Sequence, residues 1–330
     1  MSAFSTRAMR TRFAGKTDVG LQREHNEDSL LVMSDMLVVA VADGMGGHRS
    51  GDVASQLAVS TLRDFFEITV RKDATWPFPA NLDLSDEENY LVTGLRLSNR
   101  RIFDRSLKAM NDFGMGTTVV AAMFDGKAKK VTVAHVGDSR AYRIRNGVIT
   151  QLTRDHSLVS DAAHMAPWLS AEEVAQLPPN VITRALGIRE DVVVDLFSEA
   201  TIAGDVYLLC SDGLCGTLSD EQMRDVVLRH DDLDKACAEL VDRANYFGGP
   251  DNITVILCSI DVEETDAAAD TEKARPKLAP PRGRAARGED DTPLPEAATD
   301  EVPAVRVTSP LADTDAPVED ADTESVRRPT

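Results

Sequence analysis

Met36-Leu37-Val38-Val39-Ala40-Val41-Ala42-Asp43-Gly44-Met45-Gly46-Gly47-His48 is an apolar run that stops at an acid and then meets three glycines. The run is short, rich in β-branched residues and nearly free of polar ones, which predicts a strand covered on both faces. The glycines permit turns that a residue with a Cβ disfavours. Asp43 is therefore expected at the end of a buried strand. A carboxylate in that position can be a metal ligand, part of a phosphate cradle or an ordinary turn residue, and this stretch alone favours the turn.

The same ending recurs. Val206–Cys210 feed Ser211-Asp212-Gly213, Val133–Val136 feed Gly137-Asp138-Ser139-Arg140, and Asp251-Asn252 directly precede the apolar run Ile253–Ile260. If these strands share one sheet system, several acids converge at one end of it. Converging carboxylates repel one another unless cations sit between them, so the pattern asks for metal. Ligands that are all oxygen select Mg²⁺ or Mn²⁺ over zinc.

Charge and composition exclude other classes. The 330 residues carry 55 acids against 36 Lys and Arg, a formal charge of −19, which argues against nucleic acid and anionic membrane as partners. The four cysteines, Cys210, Cys215, Cys237 and Cys258, are scattered without metal spacing, which predicts a reducing cytoplasm. No apolar segment follows the basic N-terminal residues, and none elsewhere reaches the roughly 18 residues of a membrane span, so a soluble protein is expected.

Periodicity divides the chain into a flexible arm at 1–12, a packed domain at 13–262 and a tail at 263–330. From Asp261 to Thr330 there are no aromatic residues, nine prolines, and eighteen acids against nine bases. Such a segment is expected to be disordered, because it has too little apolar surface to offset its ordering entropy. The tail is nevertheless a candidate for recruiting a partner, with a small basic island at Arg282–Arg287. Inside the domain, strands are expected at Gly116–Phe124, Lys130–Val136, Ala141–Arg145, Val206–Cys210 and Ile253–Ile260. Helices are expected at Asp52–Glu67, Ser85–Asn111, Ser219–Arg229 and Asp231–Asn245, with capping boxes at Ser85/Glu88 and Ser219/Gln222. The meander from Gly116 to Arg145 favours an α+β fold with antiparallel sheet. Thr153–Asn180, polar and proline-bearing, reads as a flap with a short helix at Ser170–Gln176.

Eight motifs complete the picture: Asp18-x-Gly20-x-x-Arg23-x-x-Asn26-Glu27-Asp28, Asp43-Gly44-Met45-Gly46-Gly47-His48, Gly116-Thr117-Thr118, Gly137-Asp138-Ser139-Arg140, Leu152-Thr153-x-Asp155-His156-Ser157, Ile182-Thr183-Arg184-Ala185-Leu186-Gly187, Ser211-Asp212-Gly213-Leu214 and Asp251-Asn252-Ile253-Thr254. In this order they resemble the metal-dependent PP2C (PPM) protein phosphatases, most closely the bacterial branch. The resemblance implies a central antiparallel β-sandwich flanked by helices on both sides, a four-layer α+β fold holding two or three Mn²⁺ or Mg²⁺ ions. It also implies hydrolysis of phosphoserine and phosphothreonine in proteins, opposing bacterial serine/threonine kinases. By position, Asp43 would bridge two metals, Gly44 would ligate one through its carbonyl, and Asp212 and Asp251 would complete that shell. Glu27 and Asp28 would act through metal-bound waters, and Asp138 would join Asp212 at a third, weaker ion. Arg23 would grip the phosphate, a role that suits a planar bidentate donor. A metal-bridging water would attack phosphorus in line while the cations absorb developing charge.

Met45 departs from members of the family that carry His directly after the Asp-Gly pair. His48 is then the candidate general acid, with metal-bound water as the competing answer and a turn-fixing histidine as the plain one. Cys210 and Cys215 flank Asp212, but inert buried thiols are the simpler reading. His25, His135, His156 and His164 read as hydrogen-bonded loop or core residues. A pseudophosphatase or a scaffold organised by the tail are the rival classes; the intact Asp43, Asp212 and Asp251 weigh against the first.

Overall fold

The computed structural model describes residues 9–46, 50–69, 76–178, 180–262 and 306–307. The chain enters with β1 (Met9–Asp18) and β2 (Asp28–Met33), and the run ending at Asp43 is β3 (Val38–Met45). Val38 to Ala42 are all fully buried, yet they serve two cores. Val38, Ala40 and Ala42 face helices, while Val39 and Val41 face a second sheet. A strand with period-two side chains and two apolar faces can lie only in the middle of a layered structure.

Two long helices cover the first face. They are α1 (Ser50–Thr69) and α2 (Asp86–Lys108), whose Leu62, Phe66, Leu91 and Leu95 are fully buried in that core. Next comes the expected meander, with β4 (Gly116–Thr117), β5 (Val119–Asp125), β6 (Lys130–Val136), β7 (Arg140–Arg145) and β8 (Val148–Gln151). The segment read as a flap holds two helices, α3 (Leu158–Met165) and α4 (Ala171–Ala175). Then follow β9 (Asp195–Ala200), β10 (Val206–Cys210), α5 (Asp212–Cys215), α6 (Asp220–Arg229), α7 (Leu233–Tyr246), β11 (Ile253–Val262) and β12 (Arg306–Val307).

One sheet runs β12-β9-β6-β5-β3-β2 with β4 attached to β3, and the other runs β1-β11-β10-β7-β8. Every pair is antiparallel except β12 with β9. Their facing sides form a third core from Val39, Val41, Val120 and Val133 on one sheet and Leu209, Ile256, Cys258 and Ile260 on the other. On the far side, α6 and α7 pack Met223, Val226, Leu240 and Val241 onto Leu208, Val255 and Leu257. The result is the expected α-β-β-α sandwich. Capping boxes form at both expected sites, and a third forms at Ser170/Glu173.

Four expectations need correction. Met9–Arg12, assigned to a flexible arm, belong to β1, which pairs with β11 from Met9↔Val262 onward and carries the Arg12–Asp261 ion pair at 2.5 Å. Thr153, His156 and Ser157, assigned to a surface flap, are buried, so the exposed excursion begins after them. The helix expected to run to Asn111 stops at Lys108 and gives way to a single 3₁₀ turn at Met110–Asp112. Arg306 and Val307, assigned to a disordered tail, form β12 and pair with Asp195 and Leu196 of β9; residues 1–8 and the rest of the tail lie outside the described residues.

Candidate metal centre

Strand pairing brings the acids together. In the β2/β3 register Asp28 lies directly opposite Asp43, a like-charge pair that is unfavourable on its own. Asp212 opens α5 just after β10, and Asp251 stands just before β11, the neighbouring strand in the same sheet. The two segments touch closely: a Cβ on Gly213 would lie 2.0 Å from the Asn252 carbonyl oxygen, so only glycine fits there. Asp138 sits between β6 and β7, beside Gly137 at φ +112°.

Neutral residues hold this arrangement in place. Asn252 accepts the Glu27 N–H at 2.8 Å and donates its amide to the carbonyls of Val19 and His25 at 2.8 and 2.9 Å. Ser211 Oγ donates to Asp28 Oδ2 at 2.7 Å and accepts the Thr254 N–H at 3.0 Å. The Asp43 carbonyl accepts from Thr118 N–H at 2.9 Å and from Thr117 Oγ1 at 2.8 Å. Gly44 donates its N–H to the Glu27 carbonyl at 3.1 Å, and a Cβ there would meet the Gly51 oxygen at 2.0 Å. Glu27 Oε2 in turn lies against Gly51, near the start of α1. Sequence reasoning quoted Asn252 and Ser211 as parts of motifs but gave them no task. Their signal was position, each being adjacent to a candidate metal acid.

The electrostatics are those of crowded acids. Burial pushes the Asp28 carboxyl up to about 7, with Asp212 and Asp251 adding repulsion against hydrogen bonds from Thr254 and Ser211. Burial and the neighbouring charges of Asp28, Asp212 and Asp138 hold Asp43 well above the usual carboxylate range. Asp212 is raised by burial and by Asp251, although contact with the Asp43 carboxyl and the Arg23 charge pull it down. Asp138 rises to about 6 through burial, Asp212 and Asp155, and Glu27 rises through burial and Asp52. Asp28 Oδ1, Asp52 Oδ1 and Asp212 Oδ1 are buried without a hydrogen-bond partner. Buried charged oxygens without donors are costly, and a divalent cation is the group that satisfies several at once. The donor set, entirely oxygen, fits Mg²⁺ or Mn²⁺.

Arg23, half-exposed, reaches this cluster and pairs with Asp251 Oδ2 at 2.7 Å. Exposed pairs of this kind contribute at most about 1 kcal/mol, so the guanidinium is easily transferred to another anion. Nine of the sequence-derived site residues are Arg23, Glu27, Asp28, Asp43, Gly44, Asp138, Asp212, Asp251 and His48. The first eight meet at this end of the sandwich. His48 lies outside the described residues.

Cys210 is fully buried and its thiol is pushed far up by burial and by Cys215. The sequence contains one Cys-x5-Arg spacing, Cys237 to Arg243, which is the spacing of cysteine phosphatases. It lies inside α7, and burial pushes the Cys237 thiol up to about 12.

A second buried cluster contains His135, His156 and Asp195, whose ligand atoms lie within 4.8 Å of one another. Its chemistry differs. Gly137 N–H donates to His156 Nδ1 at 2.9 Å, which assigns the His156 proton to Nε2, 3.4 Å from Asp195 Oδ2. Arg184 donates to Asp195 Oδ1 at 2.5 Å, and His135 Nε2 donates to the Arg154 carbonyl at 2.9 Å. Burial pushes His135 down to about 4, so the two stacked rings, 4.7 Å apart, are neutral. Arg184 neutralises the aspartate and a backbone group engages each ring, while Asp195 Oδ2 and His156 Nε2, 3.4 Å apart, are buried without a hydrogen bond. These histidines are hydrogen-bonded core residues, as expected.

Comparison with known proteins agrees with the fold. The family profile of protein phosphatase 2C matches residues 22–245. A serine/threonine phosphatase, stp, of Listeria monocytogenes is 38% identical over 253 residues, covering 76% of this chain and 96% of that protein. Serine/threonine protein phosphatase PstP of Mycobacterium tuberculosis is 34% identical over 76% of this chain and 45% of its own length. A crystal structure of the PstP catalytic domain with two manganese ions superposes with a TM-score of 0.64 at 33% identity, covering 77% of this chain and 99% of that one. The chain belongs to the protein phosphatase 2C family.

Proposed function

We infer that this chain is a metal-dependent protein phosphatase acting on phosphoserine and phosphothreonine. The observation that carries the reading is the convergence of Asp28, Asp43, Asp138, Asp212 and Asp251, with unpartnered buried oxygens, beside an available arginine. Asp43, Asp212, Asp251 and the Gly44 carbonyl would hold two Mn²⁺ or Mg²⁺ ions. Glu27 and Asp28 would act through intervening waters, and Asp138 with Asp212 would hold a third ion. When bound, such ions lower the pKa of water and neutralise charge developing on phosphorus.

The protein's own groups do the rest. Arg23 leaves Asp251 and takes two phosphate oxygens, fixing the phosphorus for in-line attack. Water oxygen bonds to phosphorus, the bond to the serine or threonine oxygen breaks, and that oxygen takes a proton, leaving a free hydroxyl and inorganic phosphate. His48 is our candidate donor of that proton. A His48→Ala protein that keeps its kcat on a poor leaving group removes it from the role. Ser211, Asn252, Thr117 and Thr118 keep the acids in register.

The partners on this reading are phosphorylated proteins, among them serine/threonine kinases or their substrates, and the acidic tail is a candidate recruiter. The cysteines are free, which supports a reducing cytoplasm; among the described residues no helix is long and apolar enough to cross a membrane. The exposed part of the flap, with Met165 and Trp168 turned to solvent, borders the substrate on this reading and tunes its choice. The test is release of phosphate from a phosphothreonine peptide with added Mn²⁺. Activity that vanishes with chelator and in Asp212→Asn supports the reading, and full activity of Asp212→Asn contradicts it.

A further inference from the structure

Beside Arg23 lies an apolar surface that neither the fold nor the chemistry requires. Leu21 is 68% exposed, Tyr246 85% and Phe247 53%. Tyr246 and Phe247 stand edge to face with ring centroids 5.5 Å apart, at the end of α7 and just beyond it. The loop after them is bonded to the loop that carries Arg23. Leu21 and Gln22 donate their N–H groups to the Gly249 carbonyl at 2.9 and 3.2 Å, and Gln22 Nε2 donates to the Gly248 carbonyl at 3.2 Å. Gly249, at φ +43°, brings its backbone against the Leu21 side chain, where a Cβ would lie 3.1 Å from Leu21 Cγ. The same loop leads directly into Asp251, the partner of Arg23.

The apolar groups and the phosphate-binding arginine therefore share one hydrogen-bonded unit. Leu21 is two residues from Arg23, so their Cα atoms are at most about 7.6 Å apart. An extended polypeptide whose phosphate sits on Arg23 and whose chain runs towards the end of α7 reaches this surface within a few residues, since it advances about 3.3 Å per residue. Three large apolar side chains held outward at a site's edge lose water favourably only when something apolar covers them.

We propose that Leu21, Tyr246 and Phe247 form a docking patch for an apolar side chain of the substrate polypeptide flanking its phosphorylated residue, and so set sequence preference. This rests on the phosphatase reading above. The patch acts on binding of the polypeptide and leaves the transfer step untouched.

The test compares the full chain with Tyr246→Ser/Phe247→Ser on two phosphothreonine peptides, flanked by Leu and Phe or by Ser and Gln, and on a small aryl phosphate. The expected result is a preference of about tenfold in kcat/KM for the apolar peptide, carried mainly in KM. The double variant loses that preference while turnover of aryl phosphate and the polar peptide is unchanged. Tyr246→Phe/Phe247→Leu retains it. A preference surviving in the serine variant overturns the proposal, as does a wild type without preference. A wild-type dimer that becomes monomeric in the serine variant, with peptide preference unchanged, overturns it in favour of a second copy of this chain. If neither peptide releases phosphate while the aryl phosphate is hydrolysed, the protein-substrate reading itself fails and the patch with it.

Discussion

Two of the clusters of buried titratable groups look alike in composition and behave oppositely. At the strand ends, Asp28, Asp43, Asp138 and Asp212 crowd together with raised proton affinities, and Asp28 and Asp212 each keep an oxygen without a partner. In the second cluster Asp195 pairs with Arg184 and faces His156 at 3.4 Å, its Oδ2 also without a hydrogen bond, and each histidine ring has a backbone partner. Unlike charges compensate the second cluster, whereas like charges leave the first uncompensated. Proximity of His and Asp is therefore a weaker sign of metal than uncompensated charge.

The comparison is sharpest at Asp43. Asp43→Asn removes the charge at the centre of the acid cluster, and phosphatase activity should fall by about 10³-fold, as when a group aimed at transition-state charge is lost. A melting curve should show the folded state intact. Asp195→Asn should do the reverse. It leaves the partly exposed Arg184 and the buried His156 without their carboxylate and should cost about 2 kcal/mol in urea unfolding, less than the loss of one member of a fully buried ion pair. Residual activity per folded molecule should stay near wild type.

Metal removal gives the next effect. A chelator should lower the melting temperature of the wild-type domain by an amount equivalent to about 2.7 kcal/mol if the ion had been present at 100 times its dissociation constant. The same chelator should leave Asp43→Asn protein nearly unaffected. Acid should separate the clusters as well. Burial alone would raise Asp195, but His156 and Arg184 bring it down to about 2, below its ordinary 3.8. A depressed carboxylate stabilises the fold above its unfolded value, so this contribution is complete above pH 4 and is lost as pH falls towards 2. Unfolding followed by circular dichroism should show that acid limb in wild type and a weaker one in Asp195→Asn. Smallest of all, replacing the exposed part of the flap should alter discrimination among phosphopeptides severalfold with little change on an aryl phosphate.

Much of the first cluster was legible in the sequence because its parts are local. Val206–Cys210 ends at Asp212 and Lys130–Val136 ends before Asp138, and both strands occupy the expected residues. Their runs are buried on both faces, so hydrophobicity alone marks them. Four other strands of the domain escaped notice, among them β2, an edge strand with only Asp28 and Leu31 buried. In β1 only Ala14 is buried, the rest alternating between exposed and intermediate, because it is an edge strand with β11 on one side alone. β8 is also an edge and has no buried residue, and β9 begins with an ionised aspartate that no strand propensity favours. The second cluster was illegible for a different reason. Its members come from β6, from the segment before α3 and from β9, and only the pairing of β6 with β9 opposes His135 to Asp195. Nothing local in the sequence encodes that approach.

The central claim is that uncompensated acids bind the metal and the compensated histidine cluster does not. Calorimetric titration of Mn²⁺ into wild type, Asp43→Asn and His156→Gln protein tests it most directly. The account predicts that binding heat is lost in Asp43→Asn and preserved in His156→Gln. Undiminished binding in Asp43→Asn, or its loss in folded His156→Gln, would contradict it.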